Sequence, residues 1–134
     1  VAGLDYSTVA GRNYSTVAGR DSSTVAGLDA STVAGRDAST VAGRNSSLLW
    51  LNGVGSVGIG GHKSKIKGLK GSAFTLYEQN EKNEIILIKS AIIDGEKIQE
   101  DTWYELINGE IAKTKLTEEE QTRFDKLPTY VFNS

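Results

Sequence analysis

The sequence predicts an all-β protein: a β-solenoid of paired octapeptide repeats in 16-residue coils, closed by a small antiparallel β cap and one short terminal helix. Three observations carry that expectation. Residues 2–49 are six consecutive octads: AGLDYSTV, AGRNYSTV, AGRDSSTV, AGLDASTV, AGRDASTV and AGRNSSLL. Beyond them a glycine and serine rhythm persists while the other positions diverge. The remaining chain turns to apolar runs of β character separated by turn dipeptides.

Eight residues are too few to close one turn of a solenoid, whereas sixteen supply two short strands and two corners. The residue after the Leu/Arg position supports that pairing. Taken every sixteen, Asp5, Asp21 and Asp37 form one column, and Asn13, Asp29 and Asn45 the other. Glycine followed closely by Asp or Asn is corner chemistry, because Gly takes positive φ freely and Asx side chains bond nearby backbone. The Ser-Thr-Val-Ala runs between corners have β propensity from their branched side chains. Stacked coils are expected to rise by about 4.8 Å each.

Alternation along a strand puts either Ser and Val inside with Thr outside, or the reverse. Valine is the type more often buried. That favours Val9, Val17, Val25, Val33 and Val41 as core, with Thr8, Thr16, Thr24, Thr32 and Thr40 outside in two ladders. Against this, Leu48, Ile66 and Phe74 read as occupants of the Thr position. The candidate interaction face comprises the five threonines with Ser7, Ser15 and Ser23.

The chain divides into a regular array at 1–49, degenerate last coils at 50–75, and a cap at 76–134 with its helix at about 118–127. Trp50-Leu51 reads as a two-residue insertion, followed by N52-GVGSVGI, G60-GHKSKIK and G68-LKGSAFT; the glycine-rich 53–61 stretch also reads as a loop. Asn108-Gly109 between apolar runs predicts a type I′ hairpin, and Asp94-Gly95 another turn. Thr117 followed by Glu118, Glu119 and Glu120 has capping-box form, and Pro128 stops the helix that follows.

Charge is unevenly placed. Residues 1–48 hold four Arg and four Asp, residues 49–70 hold Lys63, Lys65, Lys67 and Lys70 with no acid, and residues 71–134 hold thirteen acids against seven bases. The lysine cluster is a candidate basic patch for phosphate or nucleic acid; a solvated face that discourages edge pairing is the favoured reading of it. With no cysteine there is no disulfide or thiolate chemistry. No apolar run approaches the roughly 20 residues of a membrane span. No signal peptide is visible, and the chain opens at Val1 within a unit, which leaves room for upstream repeats.

Little in the chain points to catalysis or to a cofactor. His62 is the sole histidine, so a triad or a His-pair metal site has one candidate, and its Lys neighbours suit an exposed loop. A stacked Asp5, Asp21 and Asp37 column invites Ca²⁺, but Arg20 and Arg36 lie beside it and the G-G-x-G-x-D pattern is absent. No phosphate-loop or dinucleotide fingerprint occurs. Tyr6 and Tyr14 suit corner packing better than ligand stacking.

The AG-x-[DN]-x-S-x-[VL] unit resembles the octapeptide array of bacterial ice-nucleation proteins, whose AG-x-x-S-T-x-T units pair into sixteen-residue coils. The tail is similar as well, with Asp94, Gly95, Ile98, Asp101, Tyr104, Leu106, Asn108, Gly109 and Ile111 spaced as D-G-x-x-I-x-x-D-x-x-Y-x-L-x-N-G-x-I. Octads followed by such a tail also resemble uncharacterised bacterial and phage-borne repeat proteins. The resemblance implies a solenoid and raises ice binding. This chain departs from the family where Ser7 and Val9, Ser15 and Val17, and Ser23 and Val25 stand in place of paired threonines. Three coils also span only about 15 Å, so efficient nucleation is not expected.

The functional expectation is a non-enzymatic scaffold presenting a regular solenoid surface for macromolecular interaction or self-association. Ice binding is the alternative, and a phage-type inhibitor acting on a protein or nucleic-acid partner is a third. The expected partner is a second copy, joined end to end through the unpaired backbone of the N-terminal coil.

Overall fold

The computed structural model describes residues 3, 8–11, 16–19, 24–27, 32–36 and 39–127. Successive octads supply alternate strands to two facing sheets. One sheet holds β1 (Thr8–Ala10), β3 (Thr24–Gly27), β5 (Thr40–Gly43), β7 (Val57–Gly60) and β9 (Ala73–Gln79), all parallel, and is extended antiparallel by β10 (Ile85–Ile92). The other holds β2 (Thr16–Gly19), β4 (Thr32–Arg36), β6 (Leu48–Asn52) and β8 (Lys65–Gly68), extended by the hairpin of β11 (Tyr104–Ile107) and β12 (Glu110–Lys113). The protein is a β-solenoid with, among the described residues, one short helix, α1 (Glu118–Phe124).

The register confirms the paired-octad coil. Thr8 pairs with Thr24 and Thr24 with Thr40, while Thr16 pairs with Thr32 on the opposite sheet. Val9, Val17, Val25, Val33 and Val41 point inward and are buried, so valine rather than threonine fills the space between the sheets. The apparent conflict from later units disappears. Ile66 aligns with Leu49 and hence with Val33, and Phe74 aligns with Gly58 and hence with Val41. Both stand in the valine column.

That shift follows from a different insertion point. Trp50 and Leu51 are not inserted; they pair with Ala34 and Gly35. The aligned Leu48 and Val57 are instead nine residues apart, against eight between Thr40 and Leu48, so one extra residue lies in the corner after Asn52. A corner absorbs an added residue on the surface, whereas an insertion within a strand would invert the facing of every side chain beyond it.

The octad glycine also has a different task from the expected one. Positive φ falls in the corners, three positions later at Ser46, Lys63 and Gly71, and at Gly55 in the corner that holds the extra residue. The repeat glycine is an inward strand residue with no room for a side chain. A Cβ at Gly35 would lie 2.6 Å from Ser39 Cβ and 2.7 Å from Val41 Cγ2.

The tail follows the expected turn chemistry. Asn108 (φ 52) and Gly109 (φ 81) join β11 to β12 as a type I′ turn demands. Gly95 is at φ 81, and Asp94 Oδ1 accepts from the Glu96 and Ile98 amides at 2.9 and 3.2 Å. The capping box forms in full: the Glu120 amide donates to Thr117 Oγ1 (3.2 Å), and the Thr117 amide donates to Glu120 Oε1 (2.8 Å). The helix ends at Phe124 rather than near 127. Lys126 and Leu127 donate to the carbonyls three residues back, a tightened last turn, and a residue preceding proline is disfavoured in helical geometry.

Candidate interaction face

Because valine faces inward, the flanking Thr and Ala positions of each strand face outward. On the β1–β10 sheet these two columns read Thr8, Thr24, Thr40, Val57, Ala73 and Ile92, then Ala10, Ala26, Ala42, Ile59, Thr75 and Ser90. No charged residue stands in either, although 24% of the chain is charged. Thr8, Thr24 and Thr40 are exposed in register. Val57 (47% exposed), Ile59 (43%) and Ile92 (68%) make the nearer-C-terminal part of the face apolar, joined by exposed Ile88 on β10. Between the projecting β7 and β10 side chains lies a depression of about 480 Å³ whose lining includes Val57, Ala73, Thr75, Ser90 and Ile92. Asp94 and Lys97, of opposite charge, also line it.

The matching face of the other sheet is roofed by the chain itself. After β12 the backbone returns across it, and Phe124 and Leu127 pack on Ala18, Ala34, Leu48 and Trp50, with Trp103 and Leu116 at the margin. The Phe124 ring centroid lies 5.1 Å from that of Trp50 and 5.4 Å from that of Trp103. Lys67 Nζ sits 4.9–5.3 Å from all three centroids, a cation–π cage closed on an internal ammonium. Burial lowers the Lys67 pKa, and Asp101 opposes the shift. Lys65 Nζ donates to Glu120 Oε1 and to the Lys115 carbonyl, both at 2.7 Å. At Glu120 burial pushes the pKa up, but the hydrogen bonds from Lys65 and Thr117 outweigh it and hold the carboxyl below its ordinary value.

These two faces divide the predicted site residues. Thr8, Thr24 and Thr40 lie on the open face, whereas Thr16 is half-buried and Thr32 buried on the roofed one. Two equal threonine ladders therefore do not exist. Ser7, Ser15 and Ser23 lie outside the described residues, as do Asp5, Asp21, Asp37, Tyr6 and Tyr14. The described serines of the same octad position, Ser39, Ser47, Ser56, Ser64 and Ser72, are all buried. Their hydroxyls stitch one coil to the next: Ser64 Oγ accepts from the Ser47 amide (3.0 Å) and donates to the Arg44 carbonyl (2.8 Å), and Ser72 Oγ repeats the pattern with Ser56 (3.2 Å) and Gly53 (2.7 Å). The persistence of serine where every neighbour diverges was the signal for this internal ladder.

The four lysines do not share one surface. Lys65 and Lys67 are engaged under the C-terminal arm, while Lys63 and Lys70 are exposed at separate corners. His62 is half-buried at the β7–β8 corner, its amide donating to Asn45 Oδ1 at 3.2 Å across one coil. Among the described residues, no group of three His, Cys, Asp or Glu is placed to hold a metal ion, and no helix is long and apolar enough to cross a membrane. The apolar half of the open face is not apparent from the repeat pattern. A one-residue slip in the octad frame after Asn52 conceals which side Val57 and Ile59 occupy.

Comparison with protein-family models, curated proteins and solved structures found no match for this chain.

Proposed function

We propose that the protein is a non-enzymatic β-solenoid scaffold whose outer β1–β10 face is its contact surface, engaging a macromolecule or another copy of the chain. One observation carries the reading: the same repeat positions are treated oppositely on the two sheets. On one they are covered by the chain's own arm. On the other they form two uncharged columns with large aliphatic side chains in the open. Exposed apolar groups gathered in this way mark contact surfaces more often than solvated ones.

A second reading, binding to ice, is favoured by the in-register exposure of Thr8, Thr24 and Thr40 at the regular inter-strand spacing. Both readings are tested together by partitioning of the purified chain into slowly growing ice and by light scattering on the same sample. Thr24→Lys and Ile59→Lys serve as comparison proteins. Contact function predicts that at least one behaviour of the chain is lost in a variant. Identical behaviour of all three proteins in both assays overturns the assignment of function to this face.

A further inference from the structure

The β7–β10 half of the open face has a relief that complements itself. Val57 and Ile59 form a raised row on β7, and the next strand, β9, offers only Ala73 and Thr75 at the aligned positions. On the far side Ile92 rises again. A ridge one strand away from a groove is what a twofold axis between those strands requires: it places each copy's ridge over the other's groove. We propose that two copies pack here face to face, about an axis parallel to the strands and midway between β7 and β9. Val57 and Ile59 of each copy then seat over Ala73 and Thr75 of the other, and Ile92 lies over Thr40 of the partner copy.

The inference rests on the contact-surface reading and commits it to one occupant. Charge favours that occupant. The columns offer no ionic group to pair, so a charged partner would lose hydration without compensation, whereas a second copy brings an equally uncharged surface. Asp94 and Lys97 at the end of the groove are of opposite charge, so they add no net charge to the face. The rotation keeps the strands of the two sheets aligned, as in sandwich packing at about 10 Å. Lys89 and the bulge between Ile85 and Leu87 on β10 are features that discourage edge-to-edge pairing, which leaves the face as the route. The size of the contact sets its strength. Four strands at about 4.8 Å spacing and about 17 Å long give roughly 300–350 Å² of flat footprint per copy. That is below the roughly 1,200 Å² total of standard stable interfaces, so the dimer is weak and reversible.

Sedimentation equilibrium from micromolar to millimolar chain is the test, with Ile59→Lys and Ile92→Lys as variants at side chains already exposed. The expected result is a concentration-dependent dimer whose dissociation constant rises at least tenfold in either variant. Circular dichroism of each variant should match the parent. A mixture of Thr40→Cys and Ile92→Cys chains, treated with a bismaleimide spanning about 10 Å, should yield the mixed cross-linked pair in excess over either like pair. A monomer at millimolar concentration overturns the proposal. So does a dimer untouched by both substitutions, which would place the contact elsewhere on the molecule. If the chain stays monomeric while Ile59→Lys abolishes its ice partitioning, the face is a contact surface and its occupant is not a second copy.

Discussion

At the scale of single residues, the interior is governed by volume. The octad places Ser, Val and Gly at inward positions, and one departure from this pattern is a compensated pair. Leu51 stands in a glycine position, and across the coil Gly58 stands in a valine position; a Cβ added at Gly58 would come within 2.6 Å of Ile66 Cδ1 and 2.9 Å of Leu51 Cδ2. Restoring the repeat consensus with Gly58→Val should therefore destabilise the protein, by about 1–3 kcal/mol from overpacking. A urea titration reads this directly, and an unchanged or higher midpoint would refute the compensation. The glycine–serine–valine rhythm was legible in the sequence because identical units must solve the same packing problem. The exchange at Leu51 and Gly58 was not, since it depends on a partner across the coil rather than along the chain.

Among the elements, the arm from Thr114 to Leu127 is held by a few specific contacts rather than by a sheet. Its apolar grip is the Trp50, Trp103 and Phe124 cluster, and its polar grip is the Lys65–Glu120 pair, to which the capping box adds the helix start. The Glu120 carboxyl has a folded pKa below its ordinary value of 4.5. Its stabilising contribution is therefore complete above the ordinary carboxylate range and is lost as pH falls through the folded value. Acidification should loosen the arm before the solenoid, reported by a change in tryptophan emission while the far-ultraviolet β signal holds. Glu120→Gln should flatten that acid transition and weaken the arm at neutral pH. An acid transition of the same size in the variant would remove Glu120 as its origin. The capping box and both Gly-containing turns were readable in advance, because each is a local interaction among residues close in sequence. The docking surface for the arm was not. It joins Lys65 to Glu120 and Trp50 to Phe124, and nothing in the chain between them specifies which sheet receives the arm.

For the molecule as a whole, the arm breaks the symmetry between two sheets that the repeats would otherwise make alike. One face is spent on internal packing and the other is left bare and uncharged. Contacts made by an uncharged face owe nothing to Coulomb attraction, so screening should not weaken them. Raising sodium chloride from 0.05 to about 1 M should change the self-association constant by no more than about twofold, and sulfate should strengthen it. A steep loss of association with salt would instead assign it to the corner lysines and the acidic tail.

The sequence by itself determined the sixteen-residue coil, the preference for valine inside and the local turns of the cap. All are consequences of periodicity and short-range chemistry, and a period repeated six times leaves few alternative ways to bury the same side chains. Only the tertiary structure decided the register beyond Asn52, the engagement of Lys65 and Lys67, and the choice between the two threonine faces. Each of these depends on contacts between segments far apart in the chain. A single residue added in one corner moves every later side chain relative to the octad frame, and only the stacked coils reveal where that residue is absorbed.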